Sequence, residues 1–142
     1  MAIIPRLAAQ WKIIFDLKLT QHLDNAEGWC DVLSMWSDGD DVFSVYLQPK
    51  AIELAMHTRS QGTTIKSEQL PKPFEWTRIE IGHEENDGKY LITFSVGGKE
   101  VGRQEVYDED LRKLEDVHLM IGSSTGGDCR GIARGLFVLE KQ

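Results

Sequence analysis

Hydrophobic and polar positions alternate along most of this sequence, the period-two pattern of strands that bury one face. The run 11–18 (WKIIFDLK) sets Trp11, Ile13, Phe15 and Leu17 on one side. The run 29–36 (WCDVLSMW) divides into Cys30, Val32, Ser34 and Trp36 against Trp29, Asp31, Leu33 and Met35. After the turn Ser37-Asp38-Gly39-Asp40, the run 41–48 (DVFSVYLQ) turns Phe43, Val45 and Leu47 away from Val42 and Ser44. Pro49-Lys50 marks the next turn, and 52–58 (IELAMHT) brings Ile52, Leu54 and Met56 together. The polar stretch 59–64 reads as a hairpin loop around Gly62.

Pro71 and Pro73 set an extended lead-in to 76–83 (WTRIEIGH), where Trp76, Arg78 and Glu80 oppose Thr77, Ile79 and Ile81. Asn86-Asp87-Gly88 predicts a tight hairpin, because Asp-Gly supplies the positive φ angles such turns need. Strands follow over 90–96 and 99–106, joined by Gly97-Gly98. The segment 107–114 reads as one helical turn, acidic at its start and basic later. Two more strands, 117–122 and 133–139, flank a glycine-rich loop. About ten evenly spaced strands with almost no helix predict an all-β, antiparallel sandwich or barrel. No repeat, linker or low-complexity tract divides the chain, so one domain is expected over 1–142.

The totals narrow the function. The chain has 142 residues, 41% hydrophobic and 27% charged, which fits a folded two-sheet core and not a disordered tract. Its apolar stretches are too short to cross a bilayer as helices, so a soluble protein without membrane insertion is expected. A net charge of −7, with the basic residues scattered, argues against nucleic acid as partner. Cys30 and Cys129 lie near opposite ends of the chain. They form either a disulfide, contributing about 4–5 kcal/mol by closing so long a loop, or two unrelated buried thiols. The start, Met1-Ala2-Ile3-Ile4-Pro5, lacks the basic and apolar regions of a signal peptide. The expectation is therefore a cytoplasmic protein or a piece of a longer secreted one.

From residue 76 onward the sequence resembles a known class. The stretch 76–101, WTRIEIGHEENDGKYLITFSVGGKEV, is similar to paired strands of concanavalin A-like jelly rolls, among them laminin G-like and, more closely, galectin-like domains. The runs WKIIFDLKL, VFSVYLQPKAIELAMHTR and VHLMIGSSTGGDCRGIARGLFVLE stand in the order such jelly rolls use. The likeness implies a jelly-roll sandwich, an extracellular setting and, from galectin-like proteins, a homodimer through edge strands. The galactose motifs of galectins are absent: Met56-His57-Thr58-Arg59 is the nearest counterpart to their H-x-N-P-R strand, without Asn-Pro. The E-x-D-x-x-E strand of glucanases with this fold is also missing, and a non-catalytic domain is expected.

Candidate chemistry sits on strands and turns. His57 and Arg59 alternate on one strand and would face a sugar hydroxyl pair together, or simply face solvent. Trp36 ends its strand beside the acidic turn and is the best candidate for stacking on a sugar ring, while Trp11 and Trp76 are expected in the core. Asp38 and Asp40, with Asp128 from the late loop, offer oxygen ligands for calcium, or form an ordinary solvated turn. Apart from that optional calcium no cofactor is expected. The leading function is a lectin-like module for a carbohydrate or glycoprotein. The alternative is an extracellular protein-binding module of the laminin G-like type.

Overall fold

The computed structural model describes residues 2–20, 30–38, 40–48, 50–57, 62–67, 70–106, 114–121 and 131–141. Among them the chain forms eleven strands and no helix. They are β1 (Ala2–Leu7), β2 (Gln10–Leu19), β3 (Cys30–Ser37), β4 (Asp40–Gln48), β5 (Ala51–His57), β6 (Gly62–Ser67), β7 (Trp76–Asn86), β8 (Lys89–Val96), β9 (Lys99–Val106), β10 (Leu114–Ile121) and β11 (Gly131–Lys141). Six strands form one sheet in the order β1-β10-β3-β4-β5-β6, and five form the other in the order β11-β2-β7-β8-β9. Every neighbouring pair is antiparallel. The all-β antiparallel sandwich expected from the sequence is the observed fold.

Alternation explains where the core sits. Trp11, Ile13, Phe15, Leu17 and Leu19 of β2 all point inward, in register with Ile79 and Ile81 of β7. Phe43, Val45 and Leu47 of β4 do the same from the facing sheet, in register with Leu54 and Ile52 of β5. The inward residues of both sheets merge into one apolar cluster. Across the middle, the Trp11 ring stacks on Phe43 with centroids 6.1 Å apart, tying one sheet to the other. Full burial of each such side chain stabilises the fold by roughly 1.5–3 kcal/mol.

Two tight hairpins join consecutive strands of the five-stranded sheet. Asp87 and Gly88 have φ of 54° and 77°, the left-handed pair a two-residue turn requires, and Asn86 pairs with Lys89 across it. Gly97 and Gly98, at 64° and 82°, repeat the device between β8 and β9. At one margin the sheets meet through β6 and β9. Gly102 allows that approach, since a Cβ there would lie 2.5 Å from Ile65 Cγ2.

Several sequence expectations are corrected. β1 escapes the alternation reading because Pro5 and Arg6 break its pattern, yet it pairs with β10. Residues 62–67, partly read as loop, form β6, a sheet-edge strand in which Ile65 is its buried hydrophobic residue. An edge strand needs few inward side chains, so its signal is weak. Trp76 is not in the core. It shares the outer face with Lys18, its register partner, and its ring lies 3.5 Å from the Arg134 guanidinium carbon and 4.9 Å from Lys18 Nζ. Irregular pairing between Asp31 and Leu33 makes Val32 an extra residue, so that Val32 and Leu33 both join the core. Leu114 opens β10, and the remainder of the expected helical turn lies outside the described residues. Cys30 is disulfide-bonded, so it is not a free thiol, and Cys129, the chain's other cysteine, lies outside the described residues.

His83 of β7 is a titratable residue buried in the interior of the five-stranded sheet. It is 1% exposed, stacked between Trp11 at 5.6 Å and Tyr90 at 5.1 Å, and its Nδ1 donates to the Ala9 carbonyl at 2.5 Å. Burial pushes its pKa below the usual 6.5, and the Ala9 hydrogen bond only partly offsets this. The unfolded chain therefore binds more protons below that value. The stability this residue permits is complete above about pH 6.5 and is lost as pH falls, by at most about 1.4 kcal/mol per unit. His83→Phe is expected to flatten the pH dependence of the denaturant midpoint between pH 7.5 and 5.5; an unchanged slope would refute the assignment. Gly102→Ala is expected to cost about 1–3 kcal/mol through overpacking against Ile65, read in the same titration. A midpoint equal to that of the unaltered protein would show that the β6–β9 margin is loose.

Candidate functional site

The outer face of the six-stranded sheet is built from the residues that alternate with the core. Three rows cross it. At one end His118 of β10 pairs with Trp36 of β3, and Trp36 with Asp41 of β4. In the middle Met120, Ser34, Ser44, Ala55 and Thr64 stand in line across five strands. Next come Asp31, Tyr46, Glu53 and Lys66.

Outer faces of antiparallel sheets are commonly solvated, but the centre of this one is not. Asp31, Ser34, Ser44, Gln48 and Glu53 are between 3% and 8% exposed. Burial demands hydrogen bonds, and they are present. Ser34 Oγ donates to Asp31 Oδ2 at 3.1 Å, Ser44 Oγ to Ser34 Oγ at 3.3 Å, and Gln48 Nε2 to Glu53 Oε2 at 2.5 Å. The result is a dry, self-satisfied polar floor spanning β3, β4 and β5.

The Trp36 end is wetter. The Trp36 indole is half-buried, and Asp38, Asp40 and Asp41 beside it are exposed. His118 Nε2 lies 3.1 Å from Asp116 Oδ1, which orients the imidazole. Ser37 Oγ donates to the Glu115 carbonyl at 2.7 Å, tying the end of β3 to β10. An apolar ring flanked by an imidazole and a carboxylate combines a stacking platform with a hydrogen-bond donor and an acceptor.

Of the sequence-derived candidates, Trp36, Asp38, Asp40 and the His57 backbone fall at this end. Trp36 follows Met35, and His57 follows Met56; both methionine positions pair with Phe43, one from each side. Trp36 and the His57 backbone thus share one end of the sheet, while the His57 side chain and all of Arg59 lie outside the described residues. Asp38 occupies the β3–β4 turn at φ 50°, and Asp40 opens β4. Asp128 lies outside the described residues. Among the described residues, no three His, Cys, Asp or Glu side chains converge to hold a metal ion.

Asp31, Glu53 and His118 were missed as site residues. Alternation in DVFSVYLQ does mark Ser44, Tyr46 and Gln48 as outward, but only strand pairing places Asp31 and Glu53 on either side of Tyr46. Their carboxylates are engaged by Ser34 and Gln48, as expected of a structural network.

No protein-family model and no curated protein matches this sequence. Solved structures do. The receptor-binding domain of botulinum neurotoxin D matches with a TM-score of 0.70 at 12% identity, covering 98% of this chain and 35% of that one. The botulinum neurotoxin serotype D ligand-binding domain in complex with N-acetylneuraminic acid gives 0.71 at 12%, covering 96% and 34%. The type G receptor-binding domain gives 0.65 at 10%, covering 94% and 38%. The likeness is one of fold. The chain spans about a third of the length of these domains, which are binding domains by description.

Proposed function

We propose that this chain is a non-catalytic carbohydrate-binding module that takes a glycan on the outer face of its six-stranded sheet, at the Trp36 end. The observation that carries the reading is the Trp36 indole, half-buried between His118 and Asp41 at the margin of a dry polar floor. A sugar ring stacks through its apolar face on such an indole and presents hydroxyls to imidazole and carboxylate. Similarity to a ligand-binding domain crystallised with N-acetylneuraminic acid supports the class of ligand, although that domain is about three times as long. Within this reading the chain is a galectin-like member of the concanavalin A-like jelly rolls, with His57 and Arg59 extending the sugar contacts. Asp38 and Asp40, with Asp128, offer carboxylate oxygens to a calcium ion where binding requires one. The disulfide at Cys30 supports an extracellular setting, where such bonds persist.

A second reading, a protein-binding module of the laminin G-like type, is favoured by a different observation: Ile132, Phe137 and Leu139 are half-exposed or more on one strand.

A glycan array with and without calcium tests the first reading, followed by titration of any bound glycan against Trp36→Ala. Loss of the platform is expected to weaken binding by about ten-fold, equivalent to about 1.4 kcal/mol, with the melting midpoint nearly unchanged. Silence across the array in both conditions would sink the proposal, and so would full affinity in the alanine variant.

A further inference from the structure

The five-stranded sheet ends at β11, which among the described strands pairs only with β2. Its register runs Ile132 against Lys18 and Arg134 against Asp16, then shifts before pairing Phe137 with Ile14 and Leu139 with Lys12. Gly135, at φ 65°, lies within the shift. One extra residue resets the alternation, so Ile132, Arg134, Phe137 and Leu139 all stand on the outer face instead of dividing between two faces. Three of them are the most exposed apolar residues of the strand, at 50%, 58% and 55%.

Positive charge accompanies them. The outer face of β11, β2 and β7 carries Lys12, Lys18, Arg78 and Arg134 against three acids, Asp16, Glu80 and Glu84, in a chain whose net charge is −7. Asp16 already lies 3.8 Å from Arg78. Arg134 and Lys18 are held over the Trp76 ring, which fixes two of the cations beside the edge.

We propose that this edge binds an extended acidic segment of a protein partner, added as a strand beside β11. A sheet edge offers main-chain groups that pair with an extended peptide, and alternate side chains then decide which peptide fits. Here the outward apolar residues match apolar side chains of the partner, and the neighbouring cations select carboxylates. A second copy of this chain fits less well, because its β11 face brings the same surplus of positive charge. The inference is independent of the sugar site, which lies on the other sheet.

The test uses the full chain, isotope-labelled, with two soluble eight-residue peptides: valine alternating with glutamate, and valine alternating with lysine. The glutamate peptide is expected to bind at least about ten-fold more tightly and to shift and protect amides of β11. Arg134→Glu combined with Lys18→Glu is expected to reverse the preference, and Phe137→Asp, at an exposed position, to weaken both peptides. Equal affinity for the two peptides, or shifts confined to other strands, would overturn the proposal. So would a dimer in ultracentrifugation that Phe137→Asp dissolves, or binding to anionic vesicles with none to the glutamate peptide.

Discussion

A strand that slips by one residue against its neighbour turns every inward side chain to water, and in this fold that exchange would empty the interior. β2 illustrates the constraint. It lies between β11 and β7, and its five inward residues from Trp11 to Leu19 are each at most 3% exposed. Shifted by one, it would offer Lys12, Ile14, Asp16 and Lys18 to the core in their place. Desolvating those charges costs far more than any alternative pairing returns. The register is therefore set by burial, and the two glycine hairpins need only be compatible with it.

Because burial fixes register, it also fixes what remains outside. The two outer faces differ in kind. That of the six-stranded sheet is polar at its centre and nearly dry, with Asp31, Ser34 and Ser44 hydrogen-bonded in one group and Gln48 to Glu53 in another. A network with its donors and acceptors matched is rigid, and a rigid floor beside an aromatic ring loses little entropy when a ligand settles on the ring. The outer face of the five-stranded sheet is apolar and basic along β11, β2 and β7, which suits a partner with a backbone to pair and carboxylates to present.

The sequence made the sandwich legible because most strands have a long inward set: β2, β4 and β8 each repeat large apolar residues at every second position. It was silent on β1 and β6, which sit at the two edges of their sheet and bury little. Trp36 was legible as a half-exposed aromatic because its strand ends there beside an acidic turn. His118 was not, since its neighbour Trp36 is far along the chain and only the β10–β3 pairing joins them. Asp31 was hidden for another reason, since irregular pairing in β3 breaks the alternation from which its side would be read.

Trp36 and Trp76 show how parity and neighbours divide the work of one residue type. Both stand on outer faces, and by composition either is a sugar platform. Trp76, however, has a guanidinium 3.5 Å from its ring centre and an ammonium 4.9 Å away, so its π surface is already engaged by cations. A sugar arriving there would have to displace Arg134 or Lys18. Trp36 instead has His118 and Asp41 as cross-strand neighbours, groups that bond to hydroxyls and leave a ring face to an apolar partner. The cations beside Trp76 follow from the β11 register, which sets Arg134 against Asp16 and so within reach of the next strand's indole. The irregularity that turns Phe137 and Leu139 outward follows Arg134 on the same strand. That edge is accordingly suited to a peptide, and the sugar reading belongs to the opposite sheet.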